Sequence, residues 1–152
     1  MQTTLYFDMD GTIADLYGVE GWLDDLNKNN VRPYVEAKGL GNLSALARRL
    51  NRLQAKGFKL GIITWCSKTG TADFHAEVAR VKREWLAHHL PSVRFDEIHI
   101  LPFGEPKFSV AKKNDFLFDD NCDNCKAWDL AGGFAYSEKM MSTILRWLEK
   151  GE

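Results

Sequence analysis

The sequence predicts an α/β domain: a Rossmann-like parallel sheet of about five strands with helices on both faces. Short, almost wholly apolar runs at 5–7, 58–64 and 116–118 read as buried strands. Longer stretches with apolar residues at helical spacing separate them. Strands alternating with helices imply parallel pairing with both faces of the sheet covered.

The elements follow in order. Leu5-Tyr6-Phe7 is a buried strand that runs straight into Asp8-Met9-Asp10-Gly11-Thr12, with Gly11 as the turn that ends it. Residues 12–18 read as a short flap. Residues 19–30 carry Trp22, Leu23 and Leu26 at helical spacing, and Asn29-Asn30 and Arg32-Pro33 read as breaks. Gly39-Leu40-Gly41-Asn42 is a loop. A longer helix is expected over 43–56, with Leu43, Leu46, Ala47, Leu50 and Leu53 on one face, Arg48, Arg49 and Arg52 on the other, and Gly57 at its end. The strand at 58–64 opens into the loop Trp65-Cys66-Ser67-Lys68-Thr69-Gly70. A helix over 74–90 closes at Pro91, and its Arg80, Lys82 and Arg83 read as a solvated face.

A third strand is expected at 94–101, then a loop over 102–107 and a weak helical turn at 109–114. The apolar strand Phe116-Leu117-Phe118 runs into Asp119-Asp120. A helix over 122–131 ends at Gly132-Gly133, a short strand follows at 134–136, and Ser137 is expected to cap the last helix. Met140, Met141, Ile144, Leu145 and Leu148 form that helix's buried side, and Trp22, Trp85, Trp128 and Trp147 read as core.

With 152 residues the chain fits a single domain across 1–152, with a short insert at about 15–42. That insert is too short to fold as an independent lid, so any cap is minimal. The 45% hydrophobic and 27% charged content is that of a globular protein, and a formal net charge of −1 gives no general attraction to nucleic acid or acidic membranes. No apolar run approaches a membrane span, and no signal peptide precedes Asp8. The odd count of three cysteines suits reduced thiols in a cytoplasmic protein.

The acids carry the chemistry. Successive strand side chains alternate, so Asp8 and Asp10 leave the strand tip on one side. Two carboxylates that close repel each other unless a cation relieves them, and oxygen ligands favour Mg²⁺. Parallel sheets place ligand sites at the carboxyl ends of their strands. Asp8/Asp10, Thr64 and Asp119/Asp120 all occupy such ends. Lys107 can bring a positive charge over the same cleft. The set suits a phosphoryl group: lysine and metal neutralise its oxygens, one carboxylate attacks phosphorus, and the other protonates the leaving oxygen and then activates water.

These residues carry a resemblance. Asp8-Met9-Asp10-Gly11-Thr12 resembles the first motif of the haloacid dehalogenase-like phosphatase superfamily. Ile62-Ile63-Thr64, Lys107 and Phe116-Leu117-Phe118-Asp119-Asp120 are similar to its second, third and fourth, in the same order. The resemblance implies Asp8 as nucleophile, Asp10 as acid/base, Thr64 and Lys107 on phosphate, and Mg²⁺ held by Asp8, Asp119 and the Asp10 carbonyl. Asp10 and Asp120 complete the acidic set proposed around the metal, and Gly11, Thr12, Trp65 and Lys68 are candidate substrate contacts. Asp10 is present where the dehalogenase branch lacks the second acid, which favours phosphoryl chemistry.

Lys112 and Lys113 are alternatives for the third motif; residues 105–120 resemble the corresponding region of deoxyribonucleotidases, which favours Lys107. Residues 57–85 also resemble the phosphatase domain of polynucleotide kinase-phosphatases. Both comparisons imply a nucleotide or a polynucleotide phosphate end as substrate. The alternatives are a phosphoprotein or small-metabolite phosphatase, or a phosphate-binding module without turnover. An oligomer is compatible with all of these.

Cys122 and Cys125 have the spacing of a redox or zinc pair, but no second pair exists, and free thiols are the default. Cys66 lacks an evident base to activate it. His88 and His89 are expected to meet the last carbonyls of their helix, and Trp65 to stack on a substrate ring or wall the cleft.

Overall fold

The computed structural model describes residues 2–151. Five parallel strands form one sheet in the order β5-β4-β1-β6-β7: β1 (Thr4–Phe7), β4 (Lys59–Trp65), β5 (Glu97–Leu101), β6 (Phe116–Phe118) and β7 (Phe134–Tyr136). The chain leaves β1 for β4 and β5 on one side, then returns for β6 and β7 on the other. β1 is therefore the switch point, and its carboxyl end opens between two diverging connections.

The expected alternation of faces is met. Leu5, Phe7, Leu60, Ile62, Phe116 and Phe118 pack on one side against Leu50 and Leu53 of α3 (Leu43–Ala55), Trp85 and Leu86 of α4 (Ala72–His89) and Leu145 of α6 (Met141–Lys150). Tyr6, Ile63 and Leu117 pack on the other against Trp128 of α5 (Cys122–Leu130). Each of three helices starts where a side chain satisfies a free backbone N–H: Asn42 accepts from Ala45, Thr71 from Phe74, and Asn121 from Asn124. No helix among the described residues is long and apolar enough to cross a membrane.

The insert is more structured than its sequence suggests. Ala14–Asp15 (β2) and Lys38–Gly39 (β3) pair as a two-residue antiparallel ribbon, where a flap and a loop were expected. The single helix expected over 19–30 is shorter, α1 (Trp22–Asn27), and Arg32-Pro33 opens a further helix, α2 (Arg32–Glu36). Proline is tolerated in a first helical turn because its missing N–H has no partner to lose there. Leu16, Leu26 and Tyr34 of the insert pack against Phe74, Val78 and Val81 of α4, so the insert is fastened to the sheet domain.

Other expectations give way to packing. Residues 107–110 form a 3₁₀ turn, displacing the turn expected at 109–114. Ser137 makes no side-chain cap; a 3₁₀ turn (Glu138–Met140) intervenes before α6. Met140 and Trp147 are 44% and 48% exposed, because α6 buries only the stripe through Leu145. Lys82, expected in solvent, is 1% exposed. His89 does meet a last-turn carbonyl, with Nδ1 3.0 Å from Trp85 O and its ring stacked on Trp85.

The buried Asp115 fixes the start of β6 to β1. Its carboxylate accepts from Thr4 N at 2.9 Å, from Lys112 N at 3.0 Å and from Lys112 Nζ at 2.9 Å. Asp115→Ala would leave the two backbone donors without a partner. We expect a stability loss of about 2–4 kcal/mol, read as a lower urea midpoint; a change below about 0.5 kcal/mol would contradict this account.

Candidate active site

The sheet ladder carries on one residue past the strand ends, and this sets the site. Asp8 N donates to Phe118 O at 2.9 Å, and Asp119 N to Tyr136 O at 3.1 Å. Asp8 and Asp119 are thus held level on adjacent strands, with Lys107 between them. Lys107 Nζ donates to Asp8 Oδ1 at 2.9 Å and to Asp119 Oδ2 at 2.8 Å, all three groups being buried. Burial works against the Lys107 charge, but the carboxylates of Asp8 and Asp119 outweigh it and hold its pKa above the ordinary value. Lys112 is engaged by Asp115 instead, and Lys113 packs beside Gly132.

Asp119 is fixed from several directions. Asn121 N donates to Oδ1 at 2.9 Å and Asn124 Nδ2 to Oδ2 at 3.0 Å. Even so, burial and the nearby Asp8 raise its pKa, with Lys107 opposing. Asp120 is pushed up to about 8 by desolvation, by its hydrogen bond with Asp8 and by the charges of Asp8 and Asp119. Oxygen atoms of Asp8, Asp119 and Asp120 lie within 4.8 Å of one another. A hard all-oxygen donor set whose burial and mutual repulsion drive carboxyl pKa values upward fits a Mg²⁺ ion.

The Asp10 side chain is not part of that group, contrary to expectation. It turns toward α4, where Lys82 Nζ donates to its Oδ2 at 2.8 Å. Lys82 Nζ also donates to Thr64 Oγ1 at 2.6 Å and to Trp65 O at 2.9 Å.

Gly11 and Thr12, candidate substrate contacts, do not line the cleft but shape it. Gly11 has φ +84°, and a Cβ there would meet Asp120 Oδ2 at 2.3 Å. Thr12 Oγ1 lies 3.1 Å from Asp8 Oδ2 and accepts from Asp120 N at 3.2 Å, tying the first acid to the last.

The cleft above these groups has a volume of about 350 Å³. The acids and Lys107 form its floor. Its walls include Tyr17 and Trp22 from the insert on one side, and Trp65, Lys68 and Phe103 on the other. The two aromatic pairs, Tyr17–Trp22 and Trp65–Phe103, each have ring centroids 5.0 Å apart. Trp65 is pinned, its Nε1 donating to Glu105 O at 2.8 Å and its ring lying 5.3 Å from Lys107 Nζ. Desolvation and the site carboxylates raise the Tyr17 pKa, which keeps its phenol neutral. Burial likewise raises the Cys66 thiol, whose Sγ lies near the His75 carbonyl, 3.7 Å away. Cys122 and Cys125 carry free thiols on the first turn of α5.

Sequence reasoning missed Lys82, Asn124, Tyr34 and Phe103. Lys82 had a legible signal, for it falls in register with Phe74, Val78 and Trp85 on the apolar face of α4. Tyr34 and Phe103 depend on contacts between distant segments, whereas Asn124 reaches back only five positions to Asp119 from the first turn of α5.

The fold and cleft define a Rossmann-like α/β domain with an acidic, lysine-bridged site at the sheet's switch point. Solved structures that share this fold include phosphatases. One is the D,D-heptose 1,7-bisphosphate phosphatase of Burkholderia thailandensis, at 14% identity and a TM-score of 0.56 over 87% of this chain and 75% of that one. Another is the D,D-heptose 1,7-bisphosphate phosphatase of B. bronchiseptica, complexed with magnesium and phosphate, at 15% identity and a TM-score of 0.56 over 88% of this chain and 79% of that one. No family model and no curated protein matches the sequence.

The raised Asp120 gives a pH prediction. The folded chain holds this proton more tightly than the unfolded one, whose carboxyl titrates near 3.8. Its stabilising effect is therefore complete below the unfolded value and is lost as pH rises through about 8. In chelator, melting temperature should fall between about pH 5 and 8, Mg²⁺ should raise it more at the higher pH, and Asp120→Asn should flatten the decline. Equal Mg²⁺ stabilisation at both pH values would count against the site.

Proposed function

We propose that this chain is a Mg²⁺-dependent phosphatase that hydrolyses a phosphate monoester through an aspartyl-phosphate on Asp8, with a nucleotide or a polynucleotide phosphate end as substrate. The observation that carries the reading is Lys107 held between Asp8 and Asp119, with Asp120 beside them, at the carboxyl ends of β1 and β6. The fold shared with phosphatases supports it.

In this reading an Asp8 carboxylate oxygen attacks phosphorus and the bond to the leaving oxygen breaks, while Asp10 supplies that oxygen with a proton. Water then attacks the phosphoryl group, giving its proton to Asp10, and the Asp8 carboxylate is released. Lys107 has two N–H groups engaged by carboxylates, which leaves a third for a phosphoryl oxygen. Asp8, Asp119, Asp120 and the Asp10 carbonyl would hold Mg²⁺, which neutralises charge on the phosphoryl oxygens.

Asp8→Asn should lower turnover of p-nitrophenyl phosphate roughly 10³-fold or more with the fold intact. The wild-type rate should vanish in EDTA and return with Mg²⁺. An Asp8→Asn rate within tenfold of wild type, in protein free of contaminating phosphatase, would end the mechanism.

The aromatic walls support the nucleotide reading, because flat rings bind a base by stacking at about 1–3 kcal/mol each. Phe103 is 51% exposed and Lys68 Nζ lies 5.8 Å from its ring centre, so a base could enter beside both. Trp65 also braces Lys107, which makes Phe103→Ala the cleaner probe. A nucleoside monophosphate should exceed a sugar phosphate in kcat/KM, and Phe103→Ala should narrow the gap. The rival is a sugar-phosphate phosphatase, favoured by the heptose bisphosphate named for both neighbours. A sugar phosphate that wins in the same assay would select it.

A further inference from the structure

Lys82 is a charged side chain buried at the back of the cleft, and the mechanism above makes no use of it. It sits on α4 where the insert, the loop after β4 and the first acidic stretch meet. Its ammonium lies 5.0 Å from the ring centre of Tyr34, which roofs it from the insert side. An ammonium has three N–H donors and no acceptor. Those of Lys82 go to Asp10 Oδ2, Thr64 Oγ1 and Trp65 O, at 2.6 to 2.9 Å. None is left for a substrate, so Lys82 can act only through its partners.

Each partner is left in a defined state. Asp10 has Oδ2 occupied, which leaves Oδ1 as the oxygen available to the cleft. The Thr64 hydroxyl accepts from Lys82, and since lysine cannot accept in return, the hydroxyl hydrogen remains free to donate elsewhere. Both residues line the cleft. Trp65 O, the third partner, fixes the backbone immediately after Thr64.

We propose that Lys82 is a positioning residue for phosphoryl transfer: it orients the Asp10 carboxylate for proton transfer and frees the Thr64 hydroxyl to donate to the phosphoryl group. The proposal rests on the phosphatase reading. In the first step the P–O bond to the leaving group breaks as the Asp8–phosphorus bond forms, and the Asp10 proton moves to the leaving oxygen. In the second, water replaces Asp8 on phosphorus and its proton returns to Asp10. Misplacing Asp10 therefore slows the first step only where the leaving oxygen needs a proton, and slows the second step for every substrate.

That asymmetry sets the test. p-Nitrophenolate departs without a proton, whereas the alkoxide of β-glycerol phosphate requires one. With Lys82→Met, steady-state kcat should fall roughly 10²-fold on both substrates. Rapid mixing with p-nitrophenyl phosphate should show a burst of one p-nitrophenolate per active site, absent in wild type, and β-glycerol phosphate should show none. A kcat within threefold of wild type, or an equal loss on both substrates without a burst, would overturn the proposal.

Loss of one member of a buried ion pair can unfold a chain, whereas loss of both is often nearly neutral. Should Lys82→Met fail to fold, Lys82→Met/Asp10→Asn is compared with Asp10→Asn on p-nitrophenyl phosphate. Rates agreeing within about tenfold support action through Asp10; a larger further drop supports action through Thr64 where Thr64→Val in both backgrounds removes it, and overturns the proposal where it persists. Wild-type protein inert toward both esters with Mg²⁺ would remove the phosphatase reading itself, and this proposal with it. Active wild type with an undisturbed Lys82→Met removes the proposal alone.

Discussion

Asp8 and Asp119 leave neighbouring parallel strands side by side, and the Lys107 ammonium between them makes that arrangement tolerable. Two buried carboxylates a few ångströms apart would otherwise hold a shared proton or push the strand ends apart. Lys107 reaches them because residues 107–110 wind into a 3₁₀ turn beneath the cleft, closed against Trp128 by Phe108. The register of β1 with β6, the turn before β6 and the cap of α5 all serve this one contact. Asn121 N completes it by donating to Asp119 Oδ1, while Asn124 Nδ2 shares Oδ2 with Lys107.

A second lysine repeats the logic on the other side of β1. Asp8 faces Lys107 and the strand β6, while Asp10, two residues on, faces Lys82 and the helix α4. The two acids expected to share one cation are thus divided between two environments. One joins a cluster of carboxylates that a metal would complete, and the other is paired with a lysine of its own. Separate environments allow two like groups to take different chemical parts.

The insert matters to this division more than its size suggests. It is too small for a core of its own, and it solves that by packing on α4 through Leu16, Leu26 and Tyr34. The same packing places Tyr34 over Lys82 and brings Tyr17 and Trp22 to the wall of the cleft. A short cap here covers the back of the site and leaves its mouth open between two aromatic pairs.

The strands, their parallel pairing and the acids at their ends were legible in the sequence, because buried strands, their alternation with helices and strand-end acids are local patterns. Asp8, Thr64, Lys107, Asp119 and Asp120 are each marked by the residues beside them, and the structure brings them into one cleft. The environment of each group was decided by tertiary structure. Arg80, Lys82 and Arg83 look alike in the sequence, yet only Lys82 falls in the stripe that α4 turns toward the sheet. Asp8 and Asp10 look like a pair, yet their counter-ions come from residues 99 and 72 positions away. Trp147 looks like core, yet α6 has too little to pack against to bury it. A chain specifies its periodic elements through near neighbours; which charge meets which is settled only when distant segments are brought together by folding.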